Sequence, residues 1–174
     1  MGIFKRGPKF QDDALRDLSQ MFYDHPNDPT PGVELLDRSR LDYTLESLKH
    51  VDEYLDAIRR RTLDDREFFV TVLRSGAYVG EVIRRTSTTR QFHWVDYDTA
   101  VRYSDVAASF GGPSSALAAI LWEHSESMSF PLGKVAKFLD TGPEESTYLF
   151  GAVVSGAASY SQTRRPMASD MAGR

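Results

Sequence analysis

The stretch DREFFVTVLRSGAYVGEVIRR (Asp65–Arg85) decides how this chain folds. At about 100° per residue, Phe68, Val72, Val79 and Ile83 share one face, with Phe69 and Leu73 beside them. That spacing predicts one long amphipathic helix. Gly76 and Gly80 fall inside the apolar arc. A glycine in a helix interior costs about 0.8–1 kcal/mol relative to alanine, so two of them, one turn apart and facing the core, point to a backbone or bulky ring packed against them. The close-packing glycine pairs of membrane helices belong to longer, uncharged segments. The opposite face carries Arg74, Tyr78, Glu81 and Arg85, with Glu81 four residues ahead of Arg85 in the favoured ion-pair order. It reads either as a solvated face bearing an ion pair or as a recognition surface, because Tyr and Arg dominate interface hot spots.

A second helix is predicted upstream, over about Thr44–Arg61. Leu45, Leu48, Val51, Leu55 and Ile58 trace its stripe and Tyr54 lies beside it. Asp42 or Thr44 is the expected cap, and Arg59, Arg60 and Arg61 gather where the helix dipole favours cations. Lys49–Glu53 and Asp56–Arg60 form i,i+4 pairs worth about 0.2–0.5 kcal/mol each. Further upstream, Leu15, Leu18 and Phe22 predict a short helix over Asp12–Tyr23, capped by Asp12 or Asp13. His25–Gly32 (HPNDPTPG) then runs extended, and VELLDRSR reads as a short strand or turn.

Downstream of the loop TSTTR the period changes to two. QFHWVDYD reads as a strand with Phe92 and Trp94 on one side and His93, Val95 and Tyr97 on the other. Residues 100–108 fit either a strand or a helical turn. SFGGPSS (Ser109–Ser115) is a loop, and the apolar run 116–122 leans to a strand with a buried helix as the alternative. Phe130–Gly142 reads as a helix with Pro131 in its first turn. Pro143 opens another, running to about Ala158 with Glu144 and Glu145 in its first turn. The expected whole is one α+β domain over residues 10–158: a central helix pair on a small antiparallel sheet, closed by C-terminal helices. Residues 1–9 are expected to be loose and 159–174 disordered.

Composition narrows the function classes. Leu, Ile, Val and Phe total 41 of 174 residues, enough for a core. There is no cysteine, which removes disulfides, thiol nucleophiles and thiolate metal sites. Net charge is −4, and dividing the chain after Ser87 leaves 14 basic against 16 acidic residues in one part and 7 against 9 in the other. Neither part has the basic footprint of a nucleic-acid binder. The opening MGIFKRGPKF has no apolar segment behind it, and Arg6 stands where a myristoylation signal wants a small hydroxyl. No apolar run approaches the roughly 18 residues of a membrane span. A cytoplasmic protein is the expectation.

The familiar chemical motifs are absent or incomplete. Gly76–Glu81 is not a dinucleotide fingerprint, and Gly133–Lys134 lacks the rest of a phosphate loop. The four histidines are scattered. His124-Ser125-Glu126 imitates a deaminase motif whose cysteine partners this chain does not have. Asp96 and Asp98 stand at i,i+2, a spacing used to hold metal-bound sugar nucleotides but equally common at strand ends. Ser155 does not sit in a nucleophile elbow. These readings imply no metal and no cofactor.

LDYTLESLKHVDEYL (41–55), LRSGAYVGEVIRR (73–85) and FPLGKVAKFLDTG (130–142) together are similar to uncharacterised bacterial domains in which an ESL..LD..L helix precedes a GAY.GEVIRR helix. The resemblance covers about a quarter of the chain by matched residues. It implies a small bacterial domain and brings no activity; Gly76, Tyr78, Gly80, Glu81 and Arg85 are the matching positions. The expected function is therefore a non-enzymatic binding or regulatory module, such as an adaptor or immunity protein, with another protein as partner. Its candidate binding residues are Arg74, Tyr78, Glu81, Arg85, His93, Trp94 and Asp96, with Gly76 and Gly80 structural. The alternative is a small hydrolase or transferase using carboxylates near Glu81, Asp96 and Asp98.

Overall fold

Asp64 starts the helix around which the molecule is built. Its side chain accepts the Glu67 amide at 2.8 Å while the Glu67 carboxylate accepts the Asp64 amide at 3.0 Å, a reciprocal capping box. The structure, a computed structural model, describes residues 8–103, 120–123 and 128–157. In chain order it contains α1 (Asp12–Met21), α2 (Ser47–Ile58), α3 (Asp65–Thr86), β1 (Phe92–Val95), α4 (Tyr97–Tyr103), β2 (Ile120–Glu123), β3 (Met128–Ser129), α5 (Pro131–Thr141) and α6 (Thr147–Ser155). This is the α+β class. Among the described residues, no helix is long and apolar enough to cross a membrane.

α3 is the axis. α1, α5 and α6 pack along it, while α2 meets it over a shorter stretch and rests chiefly on α6. Between Thr71 and Ile83 only Leu73 escapes full burial. The face expected to be solvated is therefore enclosed, and Arg74, Tyr78 and Glu81 lie inside the protein. The reason is that helices and sheet surround α3 on every side, so its polar residues carry partners inward. Phe68 and Phe69, expected on the core stripe, are 39% and 42% exposed instead, because the first turns of α3 extend beyond those neighbours.

The three strands are antiparallel in the order β1-β2-β3, with Trp94 opposite Leu121, His93 opposite Trp122 and Trp122 opposite Met128. Alternation divides the sheet. Phe92, Trp94 and Leu121 face the main core, while Val95, Trp122 and Ala100 form a small cluster of their own. Residues preceding α1 join the same sheet: Phe10 bridges Val95, and the Gln11 amide donates to the Trp94 carbonyl at 2.8 Å.

Several local expectations change. VELLDRSR forms two short 3-10 turns, Val33–Leu35 and Arg38–Arg40. α2 begins at Ser47, not Thr44, and Arg59, Arg60 and Arg61 lie at or past its end. Lys49 pairs with Glu46 at 2.6 Å rather than with Glu53, whereas Asp56 pairs with both Arg59 and Arg60. Asp12 does not cap α1; its carboxylate is turned to β1. Residues 97–103 are helical, and β2 supplies the strand at the end of the 116–122 run. Pro143–Glu145 is a separate 3-10 turn, so Glu144 and Glu145 precede α6 rather than open it. The expectations for residues 1–7, 104–119, 124–127 and 158–174, including the tail and the His124-Ser125-Glu126 motif, lie outside the described residues.

Candidate functional site

The candidate residues divide between structural posts and one cleft. Arg74, with only 7% of its side chain exposed, donates to the Asp28 carbonyl at 2.6 Å and to the Asp28 carboxylate at 2.8 Å. It ties the proline-rich connection to α3. The buried Tyr78 donates its hydroxyl hydrogen to Ser47 Oγ at 2.9 Å and accepts the Tyr43 amide at 3.1 Å. Burial pushes its hydroxyl pKa up to about 12, although the hydrogen bonds with Ser47 and Tyr43 work the other way. Asp96 accepts the Thr99 amide at 2.7 Å and so caps α4, with Asp98 in that helix's first turn. Burial would raise the Asp96 pKa, but hydrogen bonds from Thr99 outweigh it and hold the carboxyl below its ordinary range. None of these four residues reaches the cleft described next.

Glu81, Arg85 and His93 do meet. They line a cleft of about 530 Å³ between α1, the end of α3 and β1, together with Arg16, Arg84 and Arg90. Its floor is a closed polar network. Glu81 is 3% exposed and accepts from Trp94 Nε1 at 2.9 Å and from Arg84 at 2.7 Å. Arg84 also donates from Nε to the Phe92 carbonyl at 3.1 Å and reaches Asp12 at 3.1 Å. Asp12 in turn accepts the Trp94 amide at 2.7 Å and holds His93 Nδ1 at 2.7 Å, while Phe10 stacks on the imidazole with ring centroids 4.1 Å apart. In the sequence Asp12 reads only as a helix cap. Its partners lie 72 or more positions away, and no local pattern marks such a pairing.

Trp94 is fully buried behind this network, its ring lying on Gly80. Gly76 meets Leu132 in the same way: a Cβ there would lie 2.8 Å from the Leu132 Cα. Two glycines one turn apart thus let the sheet and α5 close onto the same helix.

The cleft wall has an aromatic support that the spacing of residues did not reveal. Tyr43 adopts a left-handed backbone with φ +61° and stacks on Tyr78, centroids 4.7 Å apart. Its hydroxyl meets Ser19 Oγ at 3.0 Å. The Arg85 guanidinium lies over the Tyr43 ring, 3.5 Å from its centroid.

A second feature lies on the last helix. α6, TYLFGAVVS, carries no charged residue, and Leu149 and Val153 on it are 61% and 62% exposed. Beside them a groove of about 560 Å³ runs between α5 and α6, lined by Met128, Gly133, Lys137, Phe150 and Val154 among others. Lys134, also in its wall, pairs with Glu145 at 2.5 Å. Lys49 stands over the Tyr148 ring at 4.5 Å. Among the described residues no group of three His, Asp or Glu side chains is placed to hold a metal ion. No protein-family model, curated protein or solved structure matches the chain.

Proposed function

We propose that this chain is a non-enzymatic binding module, a bacterial adaptor or immunity-type protein of the cytoplasm, acting through protein–protein contact at the Leu149–Val153 ridge. One observation carries the reading: an uncharged surface helix leaves two large apolar side chains, one turn apart, about three-fifths exposed. A helix apolar all round is ordinarily enclosed, and covering such area stabilises a complex by about 25 cal/mol per Å² before the costs of association. Lys49, Lys134 and Lys137, three of the chain's five lysines, rim the ridge and its groove. The matching partner element is an amphipathic helix with an apolar i, i+3, i+4 stripe flanked by acidic residues.

The test is a displayed library of 20-residue amphipathic helices selected against the intact protein and re-screened on Leu149→Asp/Val153→Asp. Enrichment of acid-flanked apolar stripes that no longer bind the double variant supports the reading. Enriched helices that bind both proteins equally overturn it. So does a concentration-dependent dimer in sedimentation that the double variant abolishes, because a second copy would then be the occupant.

A second reading, a small hydrolase, is favoured by one contact: Asp12 on His93 Nδ1 is the arrangement that orients an imidazole for general-base work. Hydrolysis of p-nitrophenyl acetate by wild type and His93→Ala separates the two readings. Rates equal to buffer in both keep the binding module, and turnover lost with His93 replaces it.

A further inference from the structure

Arginine makes up 16 of the 174 residues, yet four of the nine that line the cleft are arginines, in a chain whose net charge is −4. They are not equally engaged. Arg84 spends its donors on the Phe92 carbonyl, Glu81 and Asp12. Arg85 does not: its carboxylate neighbour, Glu81, is 3.8 Å away, beyond hydrogen-bond reach, and the Tyr43 ring fixes the guanidinium from below. Arg90 stands 3.7 Å from Glu123, again beyond that reach. Arg16 holds Asp13 at 2.9 Å, but both side chains are more than half exposed, and such a pair exchanges partners at little cost.

An independent observation points to the same ligand chemistry. Ser87, the residue that ends α3, lines the cleft, and its Oγ is buried without a hydrogen-bond partner among the described residues. A buried hydroxyl in that condition is destabilising until an acceptor reaches it. The donors thus come from three places: α1, the end of α3 and the loop leading into β1. A carboxylate offers two oxygens in one plane, whereas a tetrahedral dianion offers three oxygens in different directions, and guanidinium forks suit it. Both carboxylates of the floor are already answered, Glu81 by Arg84 and Trp94, and Asp12 by Arg84, His93 and the Trp94 amide. Asp13, Asp17 and Glu123 are the counterions such a ligand displaces.

We propose that the cleft binds a phosphate monoester, gripped by Arg85, Arg90 and the Ser87 hydroxyl, with Arg16 closing from α1. The proposal does not rest on the apolar ridge, and its test leaves the ridge intact. Backbone amide shifts of the full chain are followed by NMR during titration with inorganic phosphate, adenosine monophosphate and a phosphoserine hexapeptide. Succinate and potassium chloride at matched ionic strength are the controls. Saturable shifts confined to residues 84–93 and to the neighbourhood of Arg16 in α1 are expected for the phosphates. Affinity should fall at least tenfold in Arg85→Ala and Arg90→Ala and a few-fold in Ser87→Ala. Arg85→Lys and Arg90→Lys, which keep charge and fold but not the fork, should bind at least threefold more weakly than wild type. Tighter binding of the nucleotide identifies a free metabolite as the source, and tighter binding of the peptide identifies a phosphorylated protein. Shifts that merely follow ionic strength, equal binding of succinate, or arginine variants that bind like wild type overturn the site.

Discussion

The indole of Trp94 occupies the space that Gly80 leaves empty: a Cβ at Gly80 would lie 2.0 Å from Trp94 Cζ2 and 2.3 Å from Cη2. The ring cannot retreat. It is fully buried, paired opposite Leu121 in the sheet and held by Glu81 through its Nε1. Gly80→Ala gains about 1 kcal/mol of helix propensity and still loses, because overpacking of a closed core costs more. With the overpacking cost near the top of its usual range of about 1–3 kcal/mol, we expect a net loss of about 1–2 kcal/mol in a denaturant melt. The same substitution in a Trp94→Leu background should cost at least 1 kcal/mol less, a coupling expected of residues in contact. Strictly additive effects would show that the ring does not set the limit.

Glu81 allows the second prediction. A carboxylate on a solvated face loses less than about 1 kcal/mol on conversion to the amide. Here the group is 3% exposed and joins Trp94 to Arg84. Glu81→Gln keeps an acceptor for the indole but removes the charge that answers a half-buried guanidinium. A loss of about 2–4 kcal/mol is expected, with the Trp94 fluorescence maximum shifted as its hydrogen bond changes. A change below 1 kcal/mol would contradict the network.

These two cases mark what was legible in the sequence. α3 was legible because hydrophobic period, length and glycine placement are local signals, and Gly76 and Gly80 lie where the sheet and α5 press in. The burial of Arg74, Tyr78 and Glu81 was not legible. Periodicity separates apolar from polar positions but does not say whether a polar face meets water or another element. Arg74 answers to Asp28, 46 positions away, and Asp12 answers to His93, 81 positions away. Of the candidate binding residues, Glu81, Arg85 and His93 come together, while Asp96 was displaced by a local event, the strand ending at Val95 so that Asp96 can cap α4. Arg16, Ser87 and Arg90 had no pattern to mark them, since a cleft is a property of three elements at once.

Asp52 shows the same principle in α6. It reaches across from α2 to accept the Thr147 amide at 2.8 Å, the Thr147 hydroxyl at 2.5 Å and the Ser146 hydroxyl at 2.6 Å. A helix start capped from another helix is coupled to it. Asp52→Ala should destabilise by about 1–2 kcal/mol, and hydrogen exchange should accelerate in residues 147–155 more than in α1 or the centre of α3. Uniform acceleration across the chain would deny the local role.

Asp28 makes the pH dependence testable. Hydrogen bonds from Arg66 first, and then from Arg74, hold its carboxyl below the usual carboxylate range. Thr44 does the same for Asp42, Arg59 for Asp56 and Lys134 for Glu145. In each case the folded state binds its proton less readily than the unfolded chain. The stabilisation is therefore complete above the unfolded value, about 4, and is lost as pH falls through the depressed folded value. The thermal midpoint should be nearly flat from pH 7 to 5 in these groups' contribution and drop below about pH 4. Asp28→Asn should start lower at pH 7, because the nearly buried Arg74 loses its carboxylate. It should also fall less steeply in acid, because one of the protons that drives unfolding is gone. The measurement is the midpoint of wild type and Asp28→Asn at five pH values from 7 to 3. Parallel curves would mean that Asp28 titrates alike in both states and that Arg74 is held by the Asp28 carbonyl alone.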